Sequence, residues 1–181
     1  MVNSNTEDFD AVYVKSLENR QRVLRKLEEK GLPIEGWECI GWKDTGSADS
    51  TCGLCGITKV RYLHHMQNFL TDDELYVGCY CAGGMENDLK VAIERERLNI
   101  NRVKRKERFF KKKWAPEVNG SDKKVYRLSY KRKMLKIMRS QSGYFGYAIN
   151  GSQWHWNYYK SFDAVRTALF DEIDRPKEVK A

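Results

Sequence analysis

The sequence predicts an α+β protein with an N-terminal helix, a small cysteine-bearing module, a long basic helix and a C-terminal antiparallel β-sheet with one helix. Apolar residues recur at helical spacing in residues 9–30 and 89–114, four cysteines form two close pairs, and residues 124–159 alternate as strands do. The apolar stripe of the second segment consists of Leu89, Ile93, Ile100, Val103, Phe110 and Trp114. The predicted domain boundaries are 1–36 for the N-terminal helix, 37–88 for the cysteine module, 89–116 for the basic helix and 121–176 for the β-rich module.

The N-terminal helix is predicted from residues 9 to 30. Charged residues separate its apolar ones, as in a helix that packs by one stripe. Gly31 and Pro33 mark its end, because glycine closes helices readily and proline does not continue them. The glycine- and tryptophan-rich segment 32–42 then predicts a packed connection or a short strand, and residues 43–51 predict a polar loop.

Positive charge is concentrated in one third of the chain. Residues 89–140 contain 19 Lys and Arg against 5 Asp and Glu, whereas the remainder has a net charge of −6. This asymmetry favours a surface for a polyphosphate, because each neutralised phosphate releases condensed counterions. An acidic protein partner is a second interpretation, and a solvated, salt-bridged helix face needs no partner at all. The charge does not determine an oligomeric state.

The composition excludes two classes of protein. With 41% apolar and 12% aromatic residues the chain can form a core, so wholesale disorder is excluded. The sequence has no run of about 18 uncharged apolar residues, which a membrane helix needs, and its start lacks the features of a signal peptide. We therefore expect a cytoplasmic protein without a membrane partner and without disulfides.

Four of the five cysteines form two pairs, Cys52 with Cys55 and Cys79 with Cys81. The first pair has the two-residue spacing and the following glycine of a zinc knuckle, a tight turn that directs two thiolates at one ion. Four thiolates satisfy tetrahedral Zn²⁺ without a water ligand, so a structural zinc site is predicted. The fifth cysteine, Cys39, lies between two tryptophans and is expected in the core.

The order of knuckle, strand-like hairpin and helix over residues 50–95 resembles the treble-clef zinc modules. The resemblance implies that the second cysteine pair binds the ion at the start of the helix. On one strand Cys79 and Cys81 would share a face, and both bind only if the strand breaks at Tyr80. Otherwise His64 or His65 replaces one thiolate, and buried cysteines without a metal remain the alternative.

His64 and His65, followed by Asn68, also resemble the histidine strand of HNH-type nucleases. The resemblance implies a metal-dependent endonuclease in which His65 activates water, His64 or Asp72 binds the metal, and Asn87 completes the site from the helix. The sequence departs from that family, since no Asp or Glu adjoins the two histidines. The alternative to a catalytic role is that one histidine is structural and the other faces solvent.

Residues 115–122 predict a linker, and the C-terminal module that follows is predicted as strands at 124–130 and 134–139, the second of which is also compatible with a helical turn. A hairpin follows, with strands at 144–149 and 153–159 around Asn150-Gly151, because Asn-Gly favours the turns that match strand twist. Ser161 is the expected N-cap of a closing helix. Strands followed by one helix resemble the small DNA-binding modules of AP2 and integrase arm-binding domains.

That resemblance implies a sheet that contacts DNA through cations and aromatic side chains. Trp154, Trp156, Tyr158 and Tyr144 are expected either to stack on the bases of a single strand or to form the core. The predicted nucleic-acid contacts are Arg102, Lys104, Arg105, Lys106, Arg108, Lys111, Lys112, Lys113, Arg127, Lys131, Arg132, Lys133, Lys136 and Arg139. The sequence thus predicts a zinc-stabilised, non-catalytic and regulatory DNA-binding protein, with DNA favoured over RNA. A nuclease and a protein-binding adaptor or inhibitor are the alternatives.

Overall fold

The computed structural model describes residues 4–117 and 124–176, with side chains from residue 14 onward. The chain divides into two compact units, which we call the N-terminal unit, up to Ile100, and the C-terminal unit, Asn101–Pro176. The division falls inside the predicted basic helix, so the four segments expected from the sequence are distributed over two units.

Four helices and eight strands make up the described chain, which confirms the α+β class. The helices are α1 Ser4–Glu29, α2 Cys79–Met85, α3 Leu89–Phe110 and α4 Phe162–Ile173. The strands are β1 Trp37–Asp44, β2 Tyr62–Asn68, β3 Glu74–Val77, β4 Ala115–Glu117, β5 Val125–Tyr130, β6 Lys133–Arg139, β7 Phe145–Ile149 and β8 His155–Tyr159. None of the described helices is long and apolar enough to cross a bilayer.

The N-terminal unit is a three-stranded antiparallel sheet, in the order β1-β2-β3, with helices packed against it. Its core combines aliphatic side chains with two of the predicted zinc ligands, Cys52 and Cys81. Helices α1 and α2 approach closely at Gly84, where a Cβ atom would collide with the side chain of Val23. Glycine at this position therefore brings α2, which carries the second cysteine pair, against α1.

The short helix α2, which lies between β3 and α3, is additional to the expected order of elements. The sequence predicts a strand that leads up to the second cysteine pair, and β3 ends at Val77 as that prediction requires. Gly78 is the N-cap, in an extended conformation, and both cysteines then lie in the first turn of a helix. Because they are helical, Cys79 and Cys81 do not share one face as they would on a strand.

Helix α3 begins at the predicted residue, Leu89, but its buried positions differ from the predicted stripe. Ile93, expected in the core, is 45% exposed, and Ala92 is fully buried in its place. At the other end Phe109 is fully buried whereas Phe110 is only partly so. The prediction of the stripe was wrong by one residue at these positions, because a basic helix with few apolar residues fixes its own phase weakly.

The C-terminal unit is a five-stranded antiparallel meander, in the order β4-β5-β6-β7-β8. Helix α4 packs on one face of this sheet through Val165, Leu169 and Phe170, which meet Leu135 and Ile137 of β6. The segment 115–122 was expected to be a linker, and its first three residues instead form the edge strand β4. The rest of that expected linker lies outside the described residues.

Local signals placed the elements of this unit well. The turn between β7 and β8 uses Asn150 and Gly151 at positive φ, 52° and 77°, as the Asn-Gly pair predicts. The Oγ of Ser161 accepts the amide of Ala164 at 3.1 Å, which confirms the predicted N-cap. Residues 134–139 form a strand and not a helical turn, and the pairing of β7 with β8 is irregular between Phe145 and Tyr147.

Candidate metal centre

Three thiols converge at one place in the N-terminal unit. The Sγ atoms of Cys52, Cys55 and Cys81 lie within 4.8 Å of one another, and we call these residues the thiolate cluster. Cys52 and Cys81 are buried, and Cys55 is half-buried. Soft thiolate ligands select transition metals such as zinc over magnesium or calcium. The thiolate cluster can therefore hold a metal ion, as the sequence predicts for these three residues.

The knuckle that carries the first pair is built from backbone hydrogen bonds. The amide of Cys52 donates to Ile57 O at 2.9 Å, and Cys52 O accepts the amide of Gly56 at 2.9 Å. Gly56 has a φ of 74°, in the left-handed region that glycine adopts at little cost. The amide of Gly53 donates to Tyr76 O at 2.9 Å, which fixes the knuckle to β3.

The second pair does not act as a unit. Cys79 and Cys81 are two residues apart in the first turn of α2, and side chains at that spacing do not face each other on a helix. Cys81 belongs to the thiolate cluster, whereas the Sγ of Cys79 lies within 4.8 Å of ligand atoms of His64 and Glu96. The structure thus places three of the four predicted cysteines together and the fourth beside a histidine.

Burial and hydrogen bonds shift the pKa values of Cys52 and Cys81 in opposite directions. A hydrogen bond from the Cys81 thiol, together with the amides of Cys55 and Gly78, lowers the pKa of Cys52 to about 4 against the opposing effect of burial. The same hydrogen bond, together with burial and the charge of Cys52, raises the pKa of Cys81. Without a cation the pair therefore holds one thiolate and one thiol, and a bound divalent cation would favour the loss of the second proton.

A second group of ligand atoms lies in the same unit, formed by His64 of β2, Cys79 of α2 and Glu96 of α3, which we call the histidine cluster. The His64 side chain is fully buried, and that of Glu96 is 25% exposed. Nε2 of His64 lies 3.3 Å from Oε2 of Glu96. Three elements far apart in sequence thus bring an imidazole, a thiol and a carboxylate together.

The other ring nitrogen of His64 faces a separate set of groups. Nδ1 lies 3.9 Å from Sγ of Cys39 and 3.4 Å from Nη1 of Arg95. The Arg95 guanidinium is held by both carboxylate oxygens of Glu86, at 3.0 and 2.8 Å. Cys39 is half-buried against the core, as expected, but it also contacts the imidazole, which the sequence did not indicate.

The ionisation of His64 reflects these neighbours. Burial lowers its pKa, but hydrogen bonds with Cys39, Cys79 and Glu96 outweigh that effect and raise it to about 10. In the absence of a cation the imidazole is therefore protonated at neutral pH and is paired with Glu96.

One pocket of about 550 Å³ gives access to both clusters. Its wall includes all three residues of the thiolate cluster and, from the histidine cluster, Cys79 and Glu96. Three cations, Arg22, Lys59 and Arg61, also line it, and Arg61 is tied to Asp44 at 2.8 and 3.0 Å. Ligand atoms at the base of an open pocket are accessible to an ion and to small solutes.

The residues expected in an HNH-type site are not brought together. His65 occupies the opposite face of β2 from His64, where it contacts Glu74 at 2.9 Å and stacks on Tyr76 at 4.3 Å. Asn87 lines a different pocket, in the turn that follows α2. Of the nuclease residues, only His64 lies in a group of candidate metal ligands within the described chain.

Two further residues named for that site have backbone roles. The buried Asn68 side chain donates to Glu35 O at 2.6 Å and accepts the amide of Leu70 at 2.9 Å, so it ties two loops together. Asp72 sits in the turn between β2 and β3 with a φ of 59°. Asn68 thus orients the loops on which these two partners lie, and neither of its side-chain hydrogen bonds involves a histidine.

The cations predicted to contact nucleic acid fall into two classes. Five form ion pairs inside the C-terminal unit: Arg102 and Lys106 with Asp171, Arg105 and Lys131 with Asp174, and Lys136 with Glu117. The other nine are all exposed, and no ion pair involves them within the part of the chain that the structure describes. They are Lys104, Arg108, Lys111, Lys112, Lys113, Arg127, Arg132, Lys133 and Arg139.

Sequence reasoning missed Glu96 and underestimated Cys39. Glu96 interrupts the apolar stripe of α3, and an acidic residue among apolar positions is the one signal that could have pointed to it. Nothing near Cys39 in the sequence indicates its contact with His64, because that contact depends on the register of β1 against β2, with Cys39 opposite Met66.

Comparisons with protein-family models, with characterised proteins and with solved structures found no significant match to this chain.

Proposed function

We propose that this chain is a zinc-stabilised protein that binds single-stranded DNA on the face of its C-terminal sheet that α4 leaves uncovered. The thiolate cluster supplies the ligands for zinc, which stabilises the N-terminal unit. The DNA-binding surface is defined by the outward side chains of β5 to β8, and we call it the open sheet face. It acts by binding and carries out no reaction of its own.

The observation that carries this proposal is the position of Trp156. A Cβ atom built on Gly146 of β7 would lie 2.6–2.9 Å from three atoms of the Trp156 ring, so the indole lies directly over this glycine. Trp156 remains 38% exposed. An aromatic ring that rests on a sheet with one face accessible is the arrangement on which single-stranded bases stack.

The register shows which side chains accompany Trp156 on the open sheet face. Leu135 and Ile137 of β6 point to α4, so Met134 and Lys136 point the other way, and Arg127 lies opposite Lys136. Arg127 is exposed and without an ion-pair partner within the described residues. It stands three strands from Trp156, about 14 Å at the usual spacing of about 4.8 Å between strands.

A cationic turn lies at one end of the same strands. Lys131 and Arg132 form the two-residue turn between β5 and β6 with φ values of 49° and 60°. Each non-glycine residue in this region costs about 1–2 kcal/mol, and Asn or Gly normally occupies such turns. Such strain is found most often where the side chains have a role in binding. Lys131 is held by Asp174, which leaves Arg132 exposed for a phosphate.

This arrangement favours a single strand over a duplex and DNA contacts over a protein partner. Stacking needs bases that are free on one face, and it is worth about 1–3 kcal/mol for each base. Exposed cations near the stacking residue then contact the backbone. The five cations in ion pairs are accordingly removed from the predicted contacts, since each is already held by Asp171, Asp174 or Glu117.

The test measures anisotropy of a fluorescent single-stranded oligonucleotide titrated with the full chain, at several salt concentrations. We expect Trp156→Ala to weaken binding by about 1–3 kcal/mol, or roughly 5- to 150-fold. Arg127→Ala should weaken it and make the salt slope shallower by about 0.7, the value for one phosphate contact on a single strand.

Matched variants in the N-terminal unit serve as controls. Phe69→Ala removes an aromatic residue that is 62% exposed, and Arg25→Ala removes an exposed cation, so both should bind as the unmodified chain does. Circular dichroism verifies that each variant is folded. The proposal is overturned if no oligonucleotide binds at low ionic strength, if a folded Trp156→Ala binds normally, or if duplex DNA or RNA binds more tightly than the single strand.

A further inference from the structure

The histidine cluster has ligand chemistry that the proposed function leaves unused. We propose that His64, Cys79 and Glu96 form a second zinc site, separate from the thiolate cluster. The inference goes beyond the proposed function, which needs only one structural ion.

The donor set and its dimensions suit zinc. Imidazole nitrogen, thiolate sulfur and carboxylate oxygen are the three kinds of atom that bind Zn²⁺ in proteins, at bond lengths of about 2.0–2.3 Å. Tetrahedral ligation at these lengths separates the donor atoms by about 3.3–3.8 Å. Nε2 of His64 is 3.3 Å from Oε2 of Glu96, and the three donor atoms of the histidine cluster all lie within 4.8 Å of one another. Little movement is therefore needed to close the site around an ion.

The secondary structure assigns Cys79 to this site and not to the thiolate cluster. Side chains two residues apart in a helical turn point in widely different directions, so Cys79 and Cys81 do not converge on one ion while α2 keeps its first turn. That turn is fixed by the amide of Ala82, which donates to Gly78 O at 3.0 Å. The amide of Gly78 in turn donates to Sγ of Cys52 at 3.4 Å, which ties the helix start to the other cluster.

The surroundings of His64 provide the support that a metal-binding imidazole needs. With Nε2 on the metal, Nδ1 carries the proton, and Sγ of Cys39 is the acceptor nearby at 3.9 Å. Arg95, whose Nη1 lies 3.4 Å from Nδ1, is also a donor, so with a proton on Nδ1 it must bond to Glu86 alone, which already holds its guanidinium at two points. The ring is fully buried, so its orientation is fixed before an ion arrives.

The histidine cluster is open to solvent on one side, unlike a structural zinc centre that is closed by four protein ligands. Three protein ligands leave one tetrahedral position, and two of them, Cys79 and Glu96, line the pocket of about 550 Å³. An open position facing a pocket accepts water or a small anionic or thiol ligand. Arg22 and Lys59 on the same wall would favour an anion.

The experiment counts zinc per chain by elemental analysis of the full-length protein after dialysis against metal-free buffer. We expect two zinc ions in the unmodified protein and one in His64→Asn, Cys79→Ser and Glu96→Gln. Glu94→Gln is the matched control, since it changes a partly exposed glutamate on the same helix and should retain two. Cys81→Ser should lose the ion of the thiolate cluster.

X-ray absorption at the zinc edge gives a readout that does not depend on the count. Two sites of the proposed composition give a mixed shell of sulfur with nitrogen and oxygen, and the nitrogen and oxygen part should decrease in Glu96→Gln. A single zinc that Cys79→Ser removes, with an all-sulfur shell, would overturn the proposal in favour of one four-cysteine site. A single zinc that is insensitive to both Cys79→Ser and Glu96→Gln would also overturn it, and would leave the histidine cluster as a hydrogen-bonded network only.

Discussion

The two units of this chain are stabilised by different means. The buried core of the N-terminal unit contains one aromatic residue, Trp37, and includes Cys52 and Cys81. The core of the C-terminal unit contains Phe109, Tyr147 and Phe170 together with aliphatic residues from the sheet and α4. Large aromatic side chains supply much of the apolar area that a small core can bury. A unit that lacks them needs another source of stability, and the thiolate cluster is in the right place to provide it.

The buried polar side chains of the two units also differ. In the N-terminal unit the buried His64 lies between Cys39, Cys79 and Glu96, whereas the buried Asn68 holds two loops. In the C-terminal unit the buried carboxylate of Asp174 is enclosed by Arg105, at 2.7 and 3.0 Å, and by Lys131, at 2.9 Å. The N-terminal unit therefore has a buried imidazole where an ion can bind, and the C-terminal unit pairs its buried carboxylate with two cations.

The largest expected effect is that removal of the metal unfolds the N-terminal unit and leaves the C-terminal unit folded. Removal of metal with a chelator should unfold the N-terminal unit, because binding of a structural zinc contributes roughly 10 kcal/mol or more to folding in small zinc domains. The C-terminal unit should keep its protection, which amide hydrogen exchange measures separately for each unit. Cys52→Ser should behave like chelation, whereas Cys39→Ala should keep the ion of the thiolate cluster.

If amide exchange stays slow throughout the N-terminal unit after all metal is removed, the aliphatic core is sufficient to keep that unit folded. Loss of protection in both units at once would show that the contrast between them does not hold.

The second prediction concerns the stability of the C-terminal unit. Phe109 is fully buried and its ring lies 5.0 Å from that of Tyr130 and 5.5 Å from that of Phe170. Truncation of a buried phenylalanine to alanine removes its contacts and leaves a cavity, which costs about 3–5 kcal/mol. Phe109→Ala should lower the free energy of unfolding of the C-terminal unit by that amount. A urea titration in which amide hydrogen exchange reports on each unit separately measures this change.

The exposed Phe69 provides the comparison for this variant, since Phe69→Ala should change stability by less than about 0.5 kcal/mol. Equal effects of the two truncations would contradict the assignment of Phe109 to an aromatic core.

The smallest effect concerns pH. Burial raises the pKa of Asp174, but hydrogen bonds from Arg105 and Lys131 outweigh it, so the folded-state pKa lies below the ordinary value. A carboxyl of this kind contributes stability above its unfolded-state pKa of about 4, and the contribution is lost as the pH falls through the folded-state value. Asp174→Asn should therefore cost about 1–3 kcal/mol at pH 7 and less at pH 3.

Urea titrations of the C-terminal unit at the two pH values check this, with the more exposed Asp163→Asn as control. If Asp174→Asn is as costly at pH 3 as at pH 7, the carboxylate charge is not the source of its contribution.

Much of the secondary structure was predictable because it depends on neighbours in sequence. Gly31 after α1, Ser161 before α4 and the Asn150-Gly151 turn each act within a few residues, and all three lie where their chemistry requires. The end of α3 and its buried face were less well predicted: the helix stops at Phe110, and the burial of Phe109 in place of Phe110 depends on what that helix packs against. Strand β4 was missed because it has only three residues and its middle residue is Pro116, which is rare within strands.

The candidate site was predictable only in part, for the same reason. Cys52 and Cys55 form one knuckle, so their convergence follows from local spacing. The separation of Cys79 from Cys81 depends on whether the chain after Gly78 is a strand or a helix, and the packing of α2 on α1 decides that.

The sequence by itself determined the thiol-rich composition of the site, the excess of positive charge after residue 89 and the hairpin that carries Trp156. Only the tertiary structure decided that Glu96 joins His64, that Trp156 lies over Gly146 and that five of the predicted cations are held in ion pairs. The physical reason is that spacing along a chain fixes which groups are available, whereas helix phase and strand register fix which of them meet.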